Sequence, residues 1–423
     1  MKNPSVLFLS ADDFKEKSIQ VIRKTPEAYI RDGWEVHYIV SRDNSNKGNY
    51  FYEREINING LALTRVYPPL TAMLNNASNE KLIKILFRLR RYMALGQLIY
   101  FGARTLRKRE FDVVYGYEQL GFLSARFLKL LSLTGKAKIV ARFQGVLYVK
   151  EWLNQKKWAR KISNADTFYA LKTKSDICII TNDGSQGNNI LKQLGSKHLK
   201  NFYFFVNGVD KFDCTNSDLE NLKKELSIPE DKKLMLSVSR LDDHKRIDRC
   251  IRVLDKIVNK HNYKNIYFLI VGEGAMKPQF EALVENFKLE DYVRFTGAVP
   301  QAKVKYYLGI SDIFISMYES SNVGNPLLEA INANKLIVTL DNGDTGQWIK
   351  HGFSGLIYPI DDVKDVEEVQ YQIIAQDIED LLEDHAKQTQ IKQNLKEGAF
   401  QALYSWETRL DKEIAAVKRL LVK

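Results

Sequence analysis

The sequence predicts an α/β protein made of two doubly wound, Rossmann-like domains facing each other across a cleft. Short apolar runs alternate with helix-like stretches in two separate series, one on each side of residues 207–232. In that divide polar and acidic residues replace the apolar pattern. A chain of 423 residues is also too long for one compact core.

Candidate strands of the first series fall at residues 6–10, 36–41, 113–115, 138–141, 177–181 and 202–206. They are continuous apolar runs rather than alternating ones, the signature of strands buried on both faces of a parallel sheet. Helical patterns at 18–31, 120–131 and 187–194 lie between them. Asn59-Gly60 suggests a hairpin turn between runs at 50–55 and 61–66. The second series opens with a strand at 234–239 and a helix over 247–260 whose Ile247, Ile251, Leu254 and Val258 share one face. Strands at 266–271, 293–296, 313–316 and 335–340 follow, separated by helical stretches. A last amphipathic pattern over 406–421 places Leu410, Ile414, Val417 and Leu421 together.

A net charge of +11 and a pI near 9.2 call for an acidic or phosphate-bearing partner. Nucleic acid is disfavoured because no recognition motif accompanies the basic residues. Cys178, Cys214 and Cys250 are widely spaced, as in a reduced, cytoplasmic protein. No apolar run approaches the length needed to span a bilayer. Residues 81–109 interleave Lys81, Lys84, Arg88, Arg90 and Arg91 with Leu82, Ile85, Leu86 and Leu89. This is either a core helix with a solvated basic face or a helix lying on an anionic, inner membrane surface.

Ligands of parallel sheets bind beyond the carboxyl ends of the strands. That rule selects Gly145, Asn207-Gly208, residues 240–245, Gly272, Gly297 and residues 320–325. The strand at 313–316 runs into a Ser/Asn/Gly loop, after which a helix is expected to open with Asn325 as N-cap and Pro326 first inside. Unpaired backbone N–H groups and the helix dipole then converge where an anion can bind, with Glu329 in the first turn.

In this order, Phe205-Val-Asn-Gly-Val-Asp210, Ser239-Arg-Leu-Asp-Asp-His-Lys-Arg-Ile-Asp248, Ile270-Val-Gly-Glu-Gly274, Val293-Arg-Phe-Thr-Gly297, the stretch 321–330 and His351-Gly-Phe-Ser-Gly355 resemble the retaining glycosyltransferases of family 4, which have the GT-B fold. The resemblance implies an N-terminal acceptor-side domain (1–207), a donor domain (208–402) and a terminal helix (403–423) crossing back to the first domain. It implies a retaining hexosyltransferase that uses a nucleotide-diphosphate sugar, needs no metal or other cofactor, and acts on a saccharide or lipid-linked acceptor in cell-surface glycan synthesis.

By the same resemblance, Arg240 and Lys245 hold the donor diphosphate and Glu329 contacts its ribose. Ser321, Asn322, Val323, Gly324, Asn325, Leu327, Leu328, Gly272, Gly297 and Gly145 complete the donor site. Gln144 stands where many relatives carry a histidine facing the reacting sugar, and can hydrogen-bond without acting as a base. Ser321 replaces the glutamate that contacts the transferred sugar in the family, so its neighbours, or Glu319, would have to supply that contact. Two other classes remain: a non-catalytic relative that binds a nucleotide sugar or glycan, and a nucleotide-sugar epimerase, which would need ionisable groups at positions 144 and 321.

Overall fold

The computed structural model describes residues 3–12, 20–42, 58–146, 149, 152–153, 162–229, 231–365 and 367–422. It holds two parallel sheets of seven and six strands. Both carry apolar side chains on each face, and helices cover them, so the two series are two Rossmann-like units.

The first unit comprises Met1–Asn182, Gln186–Val206 and Trp406–Lys423. Its strands are β1 (Ser5–Ser10), β2 (Glu35–Ser41), β3 (Leu61–Val66), β4 (Val113–Tyr117), β5 (Lys138–Phe143), β6 (Ile177–Thr181) and β7 (Phe202–Phe205), in the order β3-β2-β1-β4-β5-β6-β7. The first arm of the expected hairpin, 50–55, lies outside the described residues. Its second arm is β3, which runs parallel to β2.

The terminal helix Trp406–Leu421 packs within this unit. Leu410, Ile414 and Val417 point inward as their spacing predicts, whereas Leu421 is exposed because the last turn runs off the apolar surface. The helix is fastened by a buried polar cluster. Tyr115 donates to Glu413 Oε1 at 2.6 Å, and Glu413 Oε2 meets Arg409 and, at 3.8 Å, Arg142. Arg142, Arg409 and Glu413 are fully buried. The two guanidinium groups hold the Glu413 carboxyl below its ordinary range against the opposing effect of burial.

The helix Glu80–Leu106 packs along one narrow stripe and is half-buried or exposed elsewhere. It buries only every fourth residue: Leu86, Arg90, Ala94, Leu98, Gly102 and Leu106. Leu82, Ile85, Leu89, Tyr92 and Tyr100 are exposed beside Lys81, Lys84 and Arg88.

The second unit comprises Asp183–Ser185 and Asn207–Ser405. Its strands are β8 (Lys233–Val238), β9 (Ile266–Val271), β10 (Val293–Gly297), β11 (Ile313–Ser316), β12 (Leu336–Asp341) and β13 (Leu356–Pro359), in the order β10-β9-β8-β11-β12-β13. The helix after β8 is regular over Ile247–Asp255 and widens into a π-turn over Lys256–Lys260. Strand order reverses between β8 and β11. Chain leaving these two neighbours turns to opposite sides, which opens a crevice at their carboxyl ends.

Candidate functional site

The β8/β11 crevice gathers most of the residues singled out in the sequence. Beyond β8, Arg240 is exposed and its Nη1 lies 3.2 Å from Asp242 Oδ2, a surface pair that a stronger anion displaces at little cost. Lys245 ends the turn Asp243–Lys245 and lies over the Tyr318 ring, its Nζ 3.8 Å from the centroid. Withdrawal from water and the Arg240 cation pull the Lys245 ammonium down to about 8, against the acids Asp242 and Asp183. Two like charges held close together create local demand for an anion.

The far wall is built by backbone. Ser239 N–H donates to Val271 O at 3.0 Å, Leu241 N–H to Glu273 O at 3.0 Å, and Gly272 N–H to Gly297 O at 2.9 Å. Gly272 has φ +147°, and a Cβ there would fall 1.7 Å from Ser239 O, so only glycine lets these loops close. Gly272 and Gly297 thus shape the wall. The Gly272 N–H is already paired.

Beyond β11 the chain continues to the helix Asn325–Asn332. Its N-cap is Gly324, not Asn325, and Pro326 is the second helical residue. Asn325 cannot cap because its Oδ1 accepts from Asn207 Nδ2 at 2.8 Å. Leu328 N–H is bound to Gly324 O at 3.1 Å, and Pro326 has no N–H. Gly324, Asn325 and Leu327 therefore carry the amides left for an anion among the described residues. The Leu327 and Leu328 side chains are core. Glu329 lies one residue deeper in the helix than expected, just past the first turn, and its Oε1 accepts from Gln301 Nε2 at 2.6 Å.

Three further expectations are corrected. The Asn322 side chain is buried scaffold: Oδ1 accepts from Tyr318 N–H at 3.1 Å, and Nδ2 donates to Leu340 O at 3.2 Å and Asn342 Oδ1 at 2.9 Å. Val323 N–H is taken by Ser321 Oγ at 3.2 Å, and the Ser321 hydroxyl donates to Asp183 O at 2.8 Å. Glu319 does not replace the missing carboxylate, because its Oε2 accepts from Arg246 Nη1 at 3.1 Å and Arg249 Nη2 at 2.8 Å.

Gln144 and Gly145 belong to the first unit and follow β5. Gln144 Oε1 accepts from Tyr117 Oη at 3.0 Å, and its N–H donates to Glu118 Oε1 at 2.5 Å. Glu118, at φ +57°, opens the helix after β4. These groups cluster where strand order reverses between β1 and β4.

Sequence reading missed Gln301, which orients Glu329, and Asp183. The strand-end rule flags Asp183, which stands two residues beyond β6.

Residues 218–398, almost the whole second unit, match the family model "Glycosyl transferases group 1". Over these residues the chain is similar to the group 1 glycosyltransferases. It is 26% identical over 209 residues to the N-acetyl-alpha-D-glucosaminyl L-malate synthase of Bacillus anthracis, covering 49% of this chain and 50% of that protein. Its matches span about half or less of the length of such curated relatives. The fold resembles sucrose-phosphate synthase from Thermosynechococcus elongatus, with TM-score 0.75 and 18% identity over all of both chains. It also resembles Anabaena HepE in complex with UDP and glucose, with TM-score 0.71 and 14% identity over 99% of this chain and 100% of the other.

Proposed function

We propose that the protein transfers a hexose from a nucleotide-diphosphate sugar to a saccharide or lipid-linked acceptor, retaining anomeric configuration. The observation that carries this is that Arg240 and Lys245, and the helix that bears the Gly324–Leu327 amides, follow β8 and β11, the two strands that flank the second unit's switch point. Departure of a nucleoside diphosphate builds negative charge on the bridging oxygen. Two fixed cations and oriented amides stabilise that charge more in the transition state than in the bound donor. Attack by the acceptor hydroxyl on the face the diphosphate leaves, with the diphosphate taking the proton, needs no protein base at Gln144. The bound UDP and glucose in HepE and the sugar chemistry in the relatives' names support the reading. Turnover tests it: the product of a cognate donor should keep the donor's anomeric configuration by proton NMR, and an inverted product would refute it. A non-catalytic binding role would show as donor binding without turnover.

We also propose that the protein works on the cytoplasmic membrane face in cell-surface glycan synthesis. Arg91 and Arg109 are engaged by Asp166 and Glu35, whereas Lys81 and Arg88, and Lys84 in an exposed pair with Glu80, stand at the surface among Leu82, Ile85 and Leu89. Apolar side chains that enter the headgroup layer, with cations on the same turns, suit an anionic lipid surface.

A further inference from the structure

We propose that Asp183 supplies the carboxylate that meets the donor sugar, taking over from position 321. The proposal rests on the donor site assigned above. A departing diphosphate leaves the sugar electron-poor, and a carboxylate on its hydroxyls both orients it and opposes that charge. Three other acids around the crevice are engaged: Glu319 by Arg246 and Arg249, Asp242 by Arg240, and Glu329 by Gln301.

Asp183 is different. Its Oδ1 accepts from Ser185 N–H at 3.1 Å and from the Ser185 hydroxyl, which fixes the carboxylate, while among the described residues no other residue donates to Oδ2. The group groups with the second unit, and its field reaches Lys245. Burial pushes its carboxyl up, as expected for an acid awaiting polar partners.

The backbone is clamped as well. Gly184 has φ +74°, and a Cβ on it would lie 2.1 Å from Ser321 Oγ. Gly343 has φ +58°, and its Cβ would lie 2.1 Å from Gly184 O. With Ser321 Oγ donating to Asp183 O at 2.8 Å, position 321 has become the support of the residue that bears the acid.

The test compares the wild type with Asp183→Asn and Ser185→Ala, using a panel of UDP-, GDP- and ADP-sugars and the free diphosphates. Asp183→Asn should bind the cognate diphosphate within about twofold of wild type, bind the matching nucleotide sugar at least tenfold more weakly, and lose about a hundredfold or more in kcat. Ser185→Ala leaves the carboxylate in place but held by the backbone N–H of residue 185 alone, and should lose about tenfold in kcat with diphosphate binding kept. If Asp183→Asn does not fold, Ser185→Ala decides. Wild-type turnover in whichever variant decides, or equal loss of diphosphate and sugar binding in it, overturns the role of Asp183 while leaving the donor site standing. A wild type that binds no diphosphate at all removes the donor site, and this proposal with it.

Discussion

Lys245 shows how the site prepares for its ligand. Held near Arg240 and away from water, its ammonium is half neutral near pH 8 in the free protein. A bound diphosphate favours the charged form, so binding at pH 8 should take up protons. Calorimetry in buffers of different ionisation enthalpy should show a heat that varies with buffer, and affinity should fall as pH rises past about 8. Buffer-independent heat would contradict this coupling. Because the folded-state value lies below the unfolded one, Lys245 weakens the fold at neutral pH, and this penalty disappears as pH rises toward 10. Lys245→Met should therefore raise stability by about 1 kcal/mol at pH 7, discounted for partial exposure, while abolishing the diphosphate response. The motifs made Arg240 and Lys245 legible as a pair. Their charge coupling, and the capture of Glu319 by Arg246 and Arg249, depend on side-chain directions that sequence spacing does not contain.

Two elements hold the scaffold through buried polar groups. Asn322 ties the loop after β11 to the end of β12 and to Asn342. Asn322→Ala would leave the buried Tyr318 N–H without its acceptor, while Asn342 keeps the residue-322 N–H and Tyr318 O, and should cost about 1–3 kcal/mol in urea denaturation. A loss below about 0.5 kcal/mol would mean that water replaces the amide. In the helix Trp406–Leu421, Glu413→Leu would strand Arg142 and Arg409, and should cost about 3–5 kcal/mol. A neutral result would show that the cluster relaxes. Strands read well from sequence because each is a continuous apolar run. Strand β13 did not, since Leu356–Pro359 is four residues between a tight turn and a helix. The helix cap was misread by one residue because the partner of Asn325 is Asn207, 118 positions away. Short polar contacts of that range leave no local trace.

At the scale of the molecule, two functions are proposed for two units: phosphate recognition at the second unit's switch point, and membrane contact on the helix Glu80–Leu106 of the first. Replacing Leu82, Ile85 and Leu89 by Ser changes exposed positions, so the fold should persist. Sedimentation with phosphatidylglycerol vesicles should fall at least fivefold, and wild-type binding should weaken as salt rises. Unchanged sedimentation would return this helix to a merely solvated role. The alternation of apolar runs was enough to read two doubly wound units from the sequence, whereas the exposure of this helix was not. Its apolar and basic residues fit a buried or a surface setting equally until the narrow stripe from Leu86 to Leu106 is seen.

The proposed diphosphate site is made of Arg240, Lys245 and the amides at the helix start. The most direct measurement is thermal stability of the wild type and of Lys245→Ala against UDP, GDP, ADP, CDP and dTDP. One diphosphate should stabilise the wild type by about 2–3 kcal/mol at a hundredfold excess over its Kd, and should have no effect on the variant. No response from the wild type to any of them, or the same response from both proteins, would contradict the assignment.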